Sequence, residues 1–466
     1  MRAWMLVGAA GLALGCGNSV SRPSEVVDAG ATADLGSSTV DTGAPTDGTA
    51  TVDAGAPSDV SAPSDVGSAV DAPPAQTTWA EHVAPLVFQH CVGCHREGGI
   101  APFSLTSYDE ASTRAELLRT ETTARRMPPS VVNASGSCNT FRDDVRWLSQ
   151  AEIDTIARWV DDGAPAGDLS RVPPVPAPPG GLARTDVTLD MGVTYTPDGS
   201  RPDDYRCFLV DPGMTEDRFI TGFQVVPGDA RVVHHVILYS IPTANAERNA
   251  EALDAQDETP GYPCFGGPRV GDSQPLALWA PGGGATAFPN RTGLRLTGGR
   301  KAVLQVHYNT LGGTHPDRSR VNLQLERSVF SEAYLIPYRP DVVSLPPRMT
   351  EAVASDTLAI PDLPAGLTSV WVHGVAPHMH TLGRTLRVET SHEGTSRCMV
   401  DVPRWDFHWQ QLAFYQDPVQ VFAGSSVSIR CTYDTTTRTT TTTWGEGTQD
   451  EMCLSYFYVT PLRPPR

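Results

Sequence analysis

Positive charge is scarce in this chain of 466 residues. Its 35 Lys and Arg stand against 53 Asp and Glu, a net charge of −18. A nucleic-acid partner needs clustered cation to meet phosphate, so that class is set aside. Large apolar side chains are nearly missing from Gly17 to Gln76. There Asp, Ala, Thr, Ser, Gly and Pro dominate, and Asp41, Asp47, Asp53, Asp59, Asp65 and Asp71 recur at one spacing. Such a stretch cannot bury enough surface to offset its ordering entropy, so residues 17–77 read as a disordered linker. The N-terminus also lacks a long apolar run. Its apolar stretch is about 13 residues, whereas a bilayer-spanning helix needs about 20. The chain as a whole is 40% hydrophobic, which leaves enough for real cores, and its length predicts two to four domains.

What the N-terminus does hold is MRAWMLVGAAGLALGC: one arginine, a short apolar stretch, then small residues. That is the layout of a secretory signal, here residues 1–16. Its last four residues, Ala13-Leu14-Gly15-Cys16, resemble a bacterial lipobox. The resemblance implies lipidation of Cys16 and a chain tethered through its linker to the bacterial outer membrane, on the periplasmic side or the cell surface. An ordinary cleaved signal is the alternative, and either one exports the chain.

Residues 78–168 carry Cys91-Val92-Gly93-Cys94-His95. A C-x-x-C-H pattern in an exported chain points to one covalent c-type haem, with two thioether bonds and a histidine on iron. A zinc site would want a second ligand pair, and only Cys138 is nearby. A redox disulfide of thioredoxin type would want a βαβ setting. For the sixth iron ligand the candidate is Met127 in RRMPPS, with His82 and His90 as alternatives. The segment closes on SQAEIDTIARWVDDGAP, where Ser149 and Glu152 make a capping box and Ile153, Ile156, Ala157 and Val160 share a helical face. Gly163 and Pro165 end that helix. The arrangement resembles a small all-α class I cytochrome c. A proline-rich linker follows Arg171.

From Leu182 the pattern changes to short alternating runs such as RFITGFQVV, VVHHVILYS, KAVLQVHYN and SVSIRCTYD, broken by Gly, Pro, Asn and Asp. That predicts antiparallel, jelly-roll-like β-sandwiches. The length is too great for one, so two are expected, 182–328 and 329–466. Histidines cluster here. His378 and His380, two apart, would share a face on a strand and could hold one metal. His234 and His235 are adjacent, so they need a bulge or a strand end to do the same. His307 lies in LQVHYN.

The segments HHVILY, LQVHYN, HMHTLG and GEGTQDEMC, in that order, resemble the copper type II, ascorbate-dependent monooxygenases, the family of peptidylglycine α-hydroxylating monooxygenase and dopamine β-hydroxylase. WDFHWQQLAFYQDPVQVFAGSSVSIRCTYDT looks like the dopamine β-hydroxylase version. The resemblance implies two copper ions, one per sandwich. His234, His235 and His307 would hold an electron-storing copper; His378, His380 and Met452 would hold the copper where oxygen reacts. A thioether suits Cu(I) and imidazole suits both oxidation states. Cys431 and Cys453 match a family disulfide. Cys207 and Cys264 are expected to pair within the first sandwich. Cys138 and Cys398 remain, and their pairing, which the sequence leaves open, would staple the haem segment to the second sandwich.

The implied reaction is hydroxylation of an aliphatic C–H of a small molecule by O2, with electrons fed through the haem from an outside reductant or redox protein. In the peptide enzyme an arginine two residues before the H-x-H motif grips the substrate carboxylate. Here Ala376 takes that position, and Leu454 replaces an asparagine after the methionine ligand. Tyr456 does match a substrate-contacting tyrosine. Two rivals stand beside the enzyme: a non-catalytic haem and copper electron-transfer or copper-binding lipoprotein, and a surface-assembly module with a haem sensor.

Overall fold

The computed structural model describes residues 76–464, apart from 100, 131, 143–144, 179, 282, 364–365, 408 and 446. The signal segment, Cys16 and the linker up to residue 75 lie outside the described residues.

The first described segment is helical. Trp79–Val83 runs into Ala84–His90, followed by Tyr108–Ser112, Ala115–Thr123 and Gln150–Asp161. The capping box is present at the last of these. Ser149 accepts from the Glu152 amide, and the Glu152 carboxylate accepts from the Ser149 amide. Burying Ile153, Ile156 and Val160 aims this helix at Trp79, Val83, Val87 and Phe88, and Trp79 meets Trp159 at 5.8 Å between ring centroids. Gly163, at φ +86°, then turns the chain out of the helix.

Everything beyond Val187 is dominated by strands. One nine-stranded sheet runs through both halves of this region. Its first part holds Val187–Asp190, Arg320–Glu326, Arg218–Val226 and Thr292–Leu296, with Thr286–Ala287 as a side branch; its second holds Ser331–Tyr338, Leu454–Thr460, Ser369–His378 and Ala413–Phe422. The seam between them is a short parallel pairing of Ser331–Ala333 with Thr292–Leu294. A five-stranded sheet covers the first part and a four-stranded sheet covers the second. The alternation of apolar residues read from the sequence becomes the two layers' interior: Phe208, Phe223, Leu238 and Leu304 in one, Val372, Leu386, Val400 and Ile429 in the other. Closing two layers over an apolar interior is what positions the ends of particular strands, and the histidines sit at those ends.

Three disulfides are present: Cys207–Cys264, Cys431–Cys453 and Cys138–Cys398. The last joins the segment after the third helix to the strand Thr395–Val402. Backbone bonds reinforce it, from Asn133 to Asp401, from Arg142 to Phe414 and from Gln416 to Thr140. No helix among the described residues is long and apolar enough to cross a membrane.

Candidate metal centre

Successive residues of a strand face opposite sides, yet the rings of His234 and His235 converge. The reason is a slip in register. Val233 pairs with Tyr308 and His235 pairs with His307, so His234 is the extra residue of a β-bulge in Val233–Ser240. The Nδ1 of His307 lies 3.2 Å from the Nδ1 of His234 and 3.2 Å from that of His235, and the three donor atoms all fall within 4.8 Å of one another. The His307 Nε2–H donates to Asp203 Oδ1 at 2.8 Å. A carboxylate only accepts, so His307 keeps its lone pair on Nδ1, facing its two neighbours. Tyr205 stacks on the same ring at 4.0 Å, and Phe407 stacks on His234 at 4.6 Å. Burial, with the adjacent imidazoles, holds His235 well below the ordinary histidine range, and burial lowers His307 too. Neutral imidazole is the form that binds a metal.

The second group is built differently. His378 ends the strand Ser369–His378, and His380 follows two residues on, with ring centroids 5.2 Å apart. Gln410 donates through its amide nitrogen to the Phe407 carbonyl at 2.8 Å, so its oxygen is the atom that meets His378 Nδ1 at 2.6 Å. His380 Nδ1 donates to the Asp450 carbonyl at 3.1 Å. Both partners are acceptors, so each ring carries its proton on Nδ1 and leaves Nε2 bare. Burial pulls His378 down to about 4 and His380 down to about 3. Met452 is buried, with its carbonyl accepting from the Tyr433 hydroxyl at 2.7 Å, and the next residue is disulfide-bonded Cys453.

One cavity of about 250 Å³ borders both groups. His235 lies on one wall and His378, His380 and Met452 on another, with Ala376 and Tyr456 beside them. A brace behind the cavity ties the groups together. Asp203, which holds His307, also accepts from the Thr448 hydroxyl and amide. Burial alone would raise the Asp203 carboxyl, but the bonds from His307 and Thr448 outweigh it and the group is held low. Three residues on, the Glu451 carboxyl accepts from the His380 and Leu382 amides at 2.9 and 2.6 Å, and burial pushes it up to about 7.

In the helical segment, Cys91 and Cys94 are free thiols, and burial pushes Cys91 up to about 12. Arg146 donates to the Cys94 sulfur at 3.4 Å. His95 Nδ1 donates to the Phe103 carbonyl at 3.1 Å, which leaves Nε2 open. Met127 is 40% exposed and borders a different cavity, of about 260 Å³, with Trp147, Leu148, Pro403 and Arg404; Cys91, Cys94 and His95 are not among its walls. Of the alternatives to Met127, His82 accepts from the Thr78 amide and His90 pairs with Glu152.

Asp203, Gln410, Thr448 and Glu451 escaped the reading of the sequence. Asp203 precedes His307 by 104 residues, and no spacing rule links a strand residue to an acceptor role that distant. Only the tertiary fold makes the pairing visible.

Two family models match the chain. Residues 191–314 match the N-terminal domain of the copper type II ascorbate-dependent monooxygenases, and residues 334–463 match the C-terminal domain. Dopamine beta-hydroxylase of Rattus norvegicus is 26% identical over 256 residues, 49% of this chain and 41% of that protein. Tyramine beta-hydroxylase of Caenorhabditis briggsae is 27% identical over 253 residues, covering 51% and 41%. Peptidyl-glycine alpha-amidating monooxygenase A of Xenopus laevis is 25% identical over 292 residues, covering 58% and 28%. The match therefore spans less than half the length of each of these relatives.

Proposed function

The chain belongs to the copper type II ascorbate-dependent monooxygenase family, and on that premise we propose that it hydroxylates an aliphatic C–H of a small organic molecule with O2. The observation that carries this reading is the single cavity bordered by two sets of metal-binding side chains. The donors fit copper. His234, His235 and His307 offer three imidazoles to one ion, while His378, His380 and Met452 offer two imidazoles and a thioether, the latter favouring Cu(I). Copper bound at these residues supplies one electron from each centre, so that one oxygen atom enters the product and one leaves as water. The chain's own part is to keep the bare nitrogens aimed inward, through Asp203, Gln410 and the Asp450 carbonyl. Tyr456 lines the cavity and would touch substrate there, and apolar walls such as Ile237, Leu278 and Leu412 would help to exclude water.

The same proposal includes a c-type haem that Cys91, Cys94 and His95 would hold in a cytochrome c-like domain. Two free thiols and an imidazole whose Nδ1 is already engaged suit that attachment. The haem would relay electrons from an external reductant. In support, the segment around Cys138 is locked to the second sandwich. Beyond the strand that carries Cys398, Pro403, Arg404 and Asp406 border the Met127 cavity, while Gln410, Trp405 and Phe407 contact His378, His380 and His234. Three disulfides suit an oxidising compartment outside the cytoplasm. Attachment to the outer membrane through lipid on Cys16 completes the reading.

The test is metal and haem content of protein matured with haem-attachment machinery, together with oxygen uptake on adding reductant. Two coppers and one haem per chain, with reductant-dependent uptake, are expected. Haem without bound copper would overturn the monooxygenase, and copper without haem would remove the relay alone.

A further inference from the structure

The cavity between the two histidine groups is unevenly charged. Among its described walls there is no Asp or Glu, and the sole full-time cation is Arg339. Arg339 follows the last paired residue of the strand Ser331–Tyr338. Tyr338 pairs with Ser455, and on the other side of that central strand His378 pairs with Leu454. Arg339 is therefore level with Leu454 and His378, two residues beyond the Pro337, Tyr456 and Ala376 row. Strands in a sheet are about 4.8 Å apart, so two strand widths separate the Arg339 and His378 backbones by about 10 Å.

We propose that Arg339 is the specificity-determining residue of this cavity and that it selects a ring-bearing carboxylic acid. The inference rests on the monooxygenase reading. Ala376, level with Tyr456, offers no charge, and the one Arg among the described walls, Arg339, stands two strands away from the strand of His378. The guanidinium is held there over the Trp444 ring, 4.5 Å from its centroid, and donates to the Pro340 carbonyl at 3.2 Å. It forms no ion pair with an acid among the described residues, and two planar donors remain for a bidentate carboxylate. Trp444, Trp279, Leu454 and Tyr456 give the rest of the cavity aromatic and apolar walls, which suit a ring. A cationic amine meets the opposite situation: the Arg339 guanidinium and, among the described walls, no Asp or Glu to pair with.

The experiment uses the copper-loaded protein and a graded set of ω-phenyl carboxylates, each with its primary amide and its amine. Binding is read by calorimetry, with copper content checked separately. Carboxylates are expected to bind at least about tenfold more tightly than their amides and amines, equivalent to about 1.4 kcal/mol. Arg339→Gln is expected to abolish that preference without changing amide binding or copper content, and Arg339→Lys to restore part of it. Equal binding of acid and amide, preference for the amine, no binding of any probe, or a preference that survives Arg339→Gln overturns the assignment. A protein that binds two coppers and consumes oxygen but shows any of these results loses the Arg339 inference alone. Failure to bind copper is the separate result that removes the enzyme.

Discussion

A metal-binding imidazole is only as well aimed as the group on its other nitrogen. His378 depends on Gln410, whose amide is oriented by the Phe407 carbonyl, and His307 depends on Asp203. Gln410→Leu is expected to weaken copper binding at His378 and His380 by about 10–100-fold, while the three-histidine group keeps its affinity. A copper titration followed by electron paramagnetic resonance separates the two populations. Asp203→Asn should do the converse. It weakens the His307 site by about 10–100-fold, with a smaller effect on the second group transmitted through Thr448; unchanged affinity at both groups would show that the brace is ornamental. The histidines that converge here could be picked out in the sequence because histidine is rare and the segments around them resemble those of a known family. Their supports could not, since Asp, Gln and Thr are common everywhere and reveal a partner only when the chain has folded.

At the scale of elements, alternation of apolar residues was enough to expect sandwiches, because a strand must hide one face and wet the other. The need for a bulge at His234 and His235 was equally readable, as two adjacent rings cannot otherwise meet. What alternation could not reveal was strand order, because nothing local says which distant strand becomes a neighbour. The pairing of Ser331–Ala333 with Thr292–Leu294 is of that kind. The Cys431–Cys453 bridge closes a loop with a sequence separation of 22 residues, for which chain entropy predicts about 3 kcal/mol of stabilisation. Replacing both cysteines with serine is expected to lower denaturant stability by about that amount and to lose copper from the His378 group first, because Met452 adjoins the bridge. Stability measured by urea unfolding and copper measured site by site would check the two halves of this prediction independently.

At the scale of the whole molecule, the segment around Cys138 is tied to the second sandwich by a disulfide, a handful of backbone bonds and the burial of Val132, Phe141 and Val145 in that sandwich's core. Replacing Cys138 and Cys398 with serine should leave the two sandwich cores intact. It should speed amide hydrogen exchange in residues 132–142 by an order of magnitude or more, because local opening then has only hydrogen bonds and the packing of Val132 and Phe141 to break. Exchange that stays slow would mean that these bonds and this packing suffice without the disulfide.

The seam strands carry one last implication. Both histidine groups lie on sheets of one compact unit, and the nine-stranded sheet stays hydrogen-bonded across its two halves. With copper held at both groups as proposed, the gap across the cavity would be like the spacing of two electrodes mounted on one board. Substrate and electron alike would then meet a distance that the shared sheet sets.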